Sequence, residues 1–476
     1  MAQSKTIQSA ATVMAMAQMI TVACRFARNV ILARLLVPAD FGVGATFAIT
    51  LSFWEMISEL GPRKQLVQAP EGGSAAWQGN AQLLFVCRGL MLSLVLFILA
   101  PTIASYFDVP GATASFRWLA VVPLIRGFIH CDVFRYQREL RLGRLASFQA
   151  IPTILGVVSA PIFAIALGNY RAFLGVILVE SLLGTILSHG LAQRAYRWNY
   201  ETSIVKRFVG FGWPLIGNGL LLFSVMHGDR FLIASYFDLD LLGAFSVVFG
   251  LSLTPTLALA NLHGSLALPL LSRARQKQDS AELQNYCWQS AQIMCLLAGL
   301  LATTFITAGP WLVNTIYGDR YLLAAEAIPW IGLMCAARLA RTTVSMAAVA
   351  HGETKIPLIS NIARAASFLV AWLLASGGYG LVTIPACGFV GELFAYGTSV
   401  FLVGRWCGIR TQVFYGPLCL VAGFVASAWL LTHFDLPIPG ITPPLIASLW
   451  LVGLIAYCGL IWPSLRNMAF AILRAN

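Results

Sequence analysis

Long apolar runs, broken by short polar turns, fill almost the whole chain. A helix that crosses a bilayer needs about 20 mostly apolar residues. About fourteen such runs occur, at 8–32, 41–60, 80–103, 116–134, 146–167, 171–190, 210–235, 241–268, 286–310, 323–350, 356–376, 379–403, 412–432 and 441–462. The second, fourth and sixth are the weakest. This pattern predicts an all-α polytopic membrane protein with about 14 transmembrane helices.

One stretch is echoed. RNVILARLLVPADFG at 28–42 reads as an apolar helix carrying an Arg, an acidic turn, then a second helix. DRFLIASYFDLDLLGAFSVVFG, from Asp229, repeats the plan. Arg28 falls on Arg230, Ile31 on Ile233, Ala33 on Ser235 and Asp40 on Asp238 or Asp240; a one-residue slip puts Gly42 on Gly243. An echo at nearly half the chain length points to duplicated halves, a plan common among transporters. The expected division is a six-helix lobe over 1–190, a surface linker over 191–209, a second six-helix lobe over 210–403 and a tail over 404–476 holding the last two helices.

Positive charge sets an expected orientation. With the N-terminus cytoplasmic, the inner loops hold nineteen of the 31 basic residues, among them Arg63, Lys64, Arg135, Arg138, Arg141 and Arg144. The outer loops hold only Arg34, Arg117, Arg171 and Arg320. This asymmetry also favours an even number of spans, with both termini inside.

Composition agrees. The chain of 476 residues is 58% apolar and 11% charged, against about 25% charged in soluble domains, so lipid must solvate much of its surface. The net charge of +12 does not indicate nucleic acid, because the basic residues lie scattered in short loops. The 10 cysteines show neither CxxC nor metal-ligand spacing and read as small buried hydrophobes. The N-terminal run has no cleavage site and reads as the first span.

The informative residues are the charges inside the spans. Eight basic residues lie there, all arginine: Arg25, Arg28, Arg88, Arg126, Arg230, Arg338, Arg341 and Arg364. The acids are Glu55, Glu59, Asp132, Glu180, Asp229 and Glu392. Each such charge costs about 2.5–3.5 kcal/mol at the bilayer centre on insertion scales, so each should face an interior cavity or a partner. Arg88 and Glu59 lie near span ends, where snorkelling to the headgroups suffices. Asp229 and Arg230 point about 100° apart on a helix and need separate partners. Arg338 and Arg341, spaced i, i+3, share a face and repel unless an anion or a carboxylate such as Glu392 sits between them. His227 reads either as a proton-relay member or as a hydrogen-bonded interface residue. Guanidinium stays charged when desolvated and forks onto phosphate, so an arginine-rich interior selects an anionic cargo.

Pro123, Pro152, Pro161, Pro214, Gly217, Gly219, Pro255, Pro269 and Pro385 punctuate the spans, most densely the seventh, which they make bendable. Walker, HExxH and GxSxG motifs are absent, and no cofactor or metal is expected. GGYG at 377–380 reads as a tight turn.

ILARLLVPADFGVGA, followed by ISELGPRKQLVQAPE, resembles the opening helices of bacterial polysaccharide flippases, which carry lipid-linked oligosaccharides such as O-antigen units. They lie within the multidrug/oligosaccharidyl-lipid/polysaccharide exporter superfamily. FRYQRELRLGRLA at 134–146 and DRFLIASYFDLDLLGAFSVVFGLSLTP at 229–255 are similar to that family's basic loop and its seventh-to-eighth helix region. The resemblance covers most of the first 270 residues in order. It implies two pseudo-symmetric six-helix lobes in a V around a central cationic cavity, and alternating access. The implied cargo is a polyprenyl-pyrophosphate-linked glycan, moved from the inner to the outer leaflet of the bacterial inner membrane for lipopolysaccharide, capsule or exopolysaccharide synthesis. A polysaccharide polymerase and a chain-length regulator are the partner candidates. By motif position Arg28, Asp229 and Arg230 take the family's cavity roles; Arg126, Glu180 and Arg338 are added from expected burial. The candidate headgroup clamp is therefore Arg25, Arg28, Arg126, Arg230, Arg338 and Arg341, with Asp229, Glu180 and Glu392 as candidate coupling carboxylates. A multidrug/cation antiporter of the same fold would need an acidic cavity. A membrane glycosyltransferase or polymerase would need a large outer loop with catalytic acids, and none is present.

Overall fold

The computed structural model describes residues 2–139, 141–433 and 443–462. Among them every regular element is a helix. Ten helices are long and apolar enough to cross a membrane, or twelve if each of two bent pairs is one span. The chain is a multi-pass membrane protein. Two of the fourteen expected spans fall outside that set. The first falls on α1 (Ala2–Leu35), some of whose side chains lie outside those described, and the last falls on the apolar helix over Leu445–Leu460. Arg466 and Arg474, which carried the expected inner C-terminus, lie outside the described residues.

The chain divides into two compact units, Met1–Ser246 and Val247–Asn476. The first holds α1, α2 (Pro38–Ile57), α3 (Pro62–Gln68), α4 (Ala75–Tyr106), α5 (Thr113–Leu119), α6 (Val121–Gly127), α7 (Asp132–Arg138), α8 (Leu142–Leu167), α9 (Arg171–Leu191), α10 (Thr202–Tyr236) and the start of α11 (Leu239–Gln276). Here α8 packs on α1 and α9, α2 on α10, and α4 on α5 and α6.

The second and fourth apolar runs are the two that break. The chain bends by 54° between α2 and α3, and by 59° between α6 and α7. Gly61, at φ +72°, takes the left-handed conformation that lets α2 stop and α3 start. A helix end inside an apolar unit must still satisfy its backbone groups. Arg88 does this from α4, donating to the Glu55 carbonyl at 2.7 Å and to Ser58 Oγ at 2.9 Å, while Glu59 accepts the Gly61 N–H at 2.8 Å. Arg88 thus caps the broken end of α2. Arg138 closes the far end of α3 on the Ala69 and Pro70 carbonyls.

Asp132, assigned to a span by its sequence, lies beyond the second break at the start of α7. Its fully buried carboxylate takes a two-pronged bond from Arg135 at 2.7 and 3.2 Å and the backbone N–H groups of Gln193 and Arg194. Glu201 N–H donates to Asn80 Oδ1 at 2.7 Å. The expected surface linker is therefore a latched strap over 192–201, followed directly by α10. An amide at position 132 accepts at one oxygen only, so Asp132→Asn should release this strap. Hydrogen exchange of residues 193–201 is expected to speed up about tenfold or more, with the spans unchanged.

α10 runs as one unbroken helix through Pro214, Gly217 and Gly219. Two of its glycines serve packing. A Cβ at Gly212 would strike the Leu60 carbonyl, and one at Gly219 the Met56 carbonyl. Glycine lets α10 lie directly on the α2 backbone.

The echoed stretches meet by the same device. A Cβ on Gly42 would overlap the Leu239 carbonyl, and a Cβ on Gly243 would overlap the Pro38 carbonyl. Positions 38 and 42 correspond to 239 and 243 at one constant offset. The contact is reciprocal, as at a two-fold axis.

The second unit continues α11 and adds α12 (Ser280–Tyr317), a 3-10 segment (Asp319–Ala327), α13 (Ile328–Ala350), α14 (Lys355–Ser376), α15 (Thr383–Cys407), α16 (Gln412–His433) and α17 (Pro443–Ile461). α12 starts where Asp279 caps the Ala281 and Glu282 N–H groups. It is the central helix, packed on α13, α16 and α17, while α15 packs on α13 and α14. Cys287, Cys295, Cys335 and Cys458 are buried in this unit. GGYG forms the turn between α14 and α15, with Gly378 at φ +80°.

Candidate functional site: arginine and carboxylate clusters

The candidate site residues fall, among the described residues, into two groups in the first unit and one in the second. In the first unit α1 brings Arg28 to Glu180 on α9, Nη1 to Oε1 2.6 Å, with both side chains about one-fifth exposed. Gly156 on α8 makes room for this carboxylate, since a Cβ there would fill the Glu180 position. Arg25 lies one turn earlier on α1 and is exposed. On the next residue of α9, Ser181 Oγ accepts from Arg126 Nε at 3.1 Å, and Arg126 Nη1 reaches Glu55 Oε1 at 2.5 Å. Arg28–Glu180 and Arg126–Glu55 are therefore joined through adjacent positions of one helix. Both pairs stay partly open, which suits groups that exchange a protein partner for a ligand.

On α10, Arg230 is half-buried; its Nη2 donates to the Met226 carbonyl and lies 3.1 Å from His227 Nδ1. Asp229 is buried, 5% exposed. His227 is a hydrogen-bonding partner of Arg230, one of the two roles open to it.

In the second unit a carboxylate does sit between Arg338 and Arg341. Glu392 on α15, fully buried, accepts from Arg338 Nε at 2.8 Å, Arg341 Nε at 3.0 Å and Arg364 Nε at 3.2 Å. Arg341 also donates to Asn361 Oδ1 and Arg364 to Ser367 Oγ. Gly391 permits this approach, because a Cβ there would meet Ser367. The i, i+3 spacing that implied a shared counter-charge for Arg338 and Arg341 gave no hint that Arg364 joins them from α14.

The six proposed clamp arginines thus fall into separate places: Arg25, Arg28 and Arg126 near one another, Arg230 on α10, and Arg338 with Arg341 around Glu392. Reasoning from sequence assigned no role to Glu55 and Ser181, which hold Arg126. An embedded acid such as Glu55, left without an assigned partner, was the available signal. Among the described residues no cluster of His, Cys, Asp and Glu could hold a metal ion.

Residues 31–326 match the family model described as "Polysaccharide biosynthesis protein". The succinoglycan biosynthesis transport protein ExoT of Rhizobium meliloti (strain 1021) is 22% identical, over 95% of this chain and 92% of that protein. The teichuronic acid biosynthesis protein TuaB of Bacillus subtilis (strain 168) is 18% identical, over 73% of this chain and 66% of that protein. Among solved structures, the lipid II flippase MurJ in an inward closed conformation superposes with a TM-score of 0.76 at 11% identity, covering 95% of this chain and 99% of that one.

Proposed function

The chain belongs to the polysaccharide biosynthesis protein family, and from that premise we propose that it is a flippase for a polyprenyl-pyrophosphate-linked oligosaccharide. The cargo moves from the inner to the outer leaflet of the bacterial inner membrane by alternating access. A relative named for succinoglycan biosynthesis transport, aligned along nearly the full chain, supports transport rather than synthesis.

The observation that carries the reading is the partly open pair Arg28–Glu180, with Arg25 and Arg126 beside it. Three guanidiniums beside two carboxylates, Glu180 and Glu55, leave a net positive charge that attracts an anion, and a pyrophosphate can replace Glu180 on Arg28 and engage its guanidinium in a fork. Arg230 would hold the headgroup from α10. Arg338 and Arg341 would contribute only if Glu392 released them. We assign Glu392 to holding α13, α14 and α15 together. Glu180 and Asp229 are the better coupling candidates, since a carboxylate displaced from its arginine can take up a proton. The driving force would be an ion or potential gradient, or consumption of the cargo outside. A polymerase and a chain-length regulator are the partners this role implies.

The test is reconstitution in vesicles with a fluorescent polyprenyl-pyrophosphate-linked sugar. Arg28→Ala and Arg230→Ala should each lower the initial flipping rate about tenfold or more, the loss of one charge-assisted contact. Undiminished flipping with both changes removes the clamp.

A further inference from the structure

The two helix breaks of the first unit enclose a pocket of about 420 Å³, within the roughly 300–1,000 Å³ of small-molecule sites. Glu55 and Glu59 from α2, Arg63 from α3, Arg88 from α4 and Arg126 from α6 line it. The rest of the wall includes Phe85, Phe134 and Phe148. Neither Arg28 nor Glu180 borders this space; the pair Arg126–Glu55 belongs to both.

We propose that this pocket binds a sugar esterified to phosphate or pyrophosphate, with Arg63 as the principal anion contact. Four observations converge. First, three guanidiniums face two carboxylates, so the wall favours an anion. Second, the arginines differ in occupation. Arg88 caps α2 and Arg126 holds Glu55. Arg63 makes no hydrogen bond among the described residues; its guanidinium lies over the Phe134 ring, 5.0 Å from the centroid. Stacking uses the flat face of guanidinium and leaves its in-plane N–H fork available for phosphate oxygens.

Third, the aromatic side is a built surface. Phe85 and Phe134 are stacked at 5.9 Å, and Phe148 meets Phe134 edge-on at 6.5 Å. The buried Phe134 backs this surface, and the partly exposed Phe85 and Phe148 offer the apolar floor to a sugar ring, while Glu55 and Glu59 provide acceptors for hydroxyls. Fourth, broken helices are where transporters hold substrate. Both breaks of this unit border the same space.

The ligand class rests on the flippase reading, but the pocket can be tested apart from it. The same chemistry could arrive as a water-soluble sugar phosphate or on a polyprenyl lipid, so two probes are used on the purified full-length chain. One is glucose 1-phosphate. The other is a phosphatidylcholine nanodisc carrying a polyprenyl-pyrophosphate-linked hexose, with a lipid-only nanodisc as blank. At least one probe should bind, and Arg63→Gln should weaken that Kd about tenfold. Arg63→Lys, which keeps charge but loses the fork, should fall between. Arg63 is exposed and makes no hydrogen bond among the described residues, so Arg63→Gln should lower the folding equilibrium constant only by the stack on Phe134, about two- to fivefold (about 0.5–1 kcal/mol). If both probes bind Arg63→Gln within twofold of the unchanged chain, or neither binds the unchanged chain, the proposal is overturned. Unchanged affinity in Arg63→Gln, with flipping lost in Arg28→Ala, removes this site and leaves the flippase. Arg63-dependent binding by a chain that flips nothing keeps the site and removes the flippase.

Discussion

Glu392→Gln is expected to destabilise the second unit by about 3–5 kcal/mol, the usual cost of removing one partner from a buried ion cluster. Glu392 is the shared acceptor of Arg338, Arg341 and Arg364, all buried and drawn from α13 and α14. The amide keeps the shape and one carbonyl acceptor but removes the negative charge, and its NH₂ faces guanidinium donors. The measurement is thermal unfolding of the purified chain in nanodiscs, with Asn361→Ala as a comparison that removes one neutral bond to Arg341 and should cost about 1 kcal/mol. A Glu392→Gln chain as stable as the parent would show that the three arginines find their counter-charge elsewhere.

Gly42→Val and Gly243→Val should each be at least as damaging as ordinary overpacking, which costs about 1–3 kcal/mol. At both positions the new side chain meets a backbone carbonyl, Leu239 for Gly42 and Pro38 for Gly243, and backbone cannot turn aside as a side chain can. α2 and the start of α11 must move apart. Because the two contacts form one crossing, the effects should not add. Once one valine has separated the helices, the second clashes less, and the double variant should fall short of the sum by about 0.5–3 kcal/mol. Full additivity of the thermal shifts would mean that the two glycines act at independent contacts. Gly217→Val, on α10 where an added Cβ meets nothing within 4 Å, is the control and should be nearly neutral.

Charge economy explains much of the site. Arg28, Arg126, Arg338, Arg341 and Arg364 are each held by a carboxylate, yet the quality of the hold differs. Glu392 is sealed among three donors. Glu180 and Glu55 are each paired at the edge of open space. Function is therefore expected where pairs are exposed and exchangeable, not where the cluster is most buried.

Class and much of the layout were legible in the chain itself. Twenty-residue apolar runs leave helices in lipid as the only way to satisfy the backbone, so the helical membrane protein followed from residue types alone. Weakness alone did not mark the spans that break: runs two and four do, but the equally weak sixth is the unbroken α9. The i, i+3 spacing of Arg338 and Arg341 implied a counter-charge between them, because helical geometry is local. What needed the folded molecule was every relation between distant segments. No local rule brings Glu55 to Arg126, Arg364 to Glu392, or Asp132 to the backbone of Gln193. Nor could glycine in α10 be read as packing, since flexibility and close approach ask for the same residue. Only the carbonyl lying against Gly219 decides between them. Sequence sets which charges must find partners inside the membrane; tertiary packing, which brings α2, α6 and α9 side by side, selects the partners.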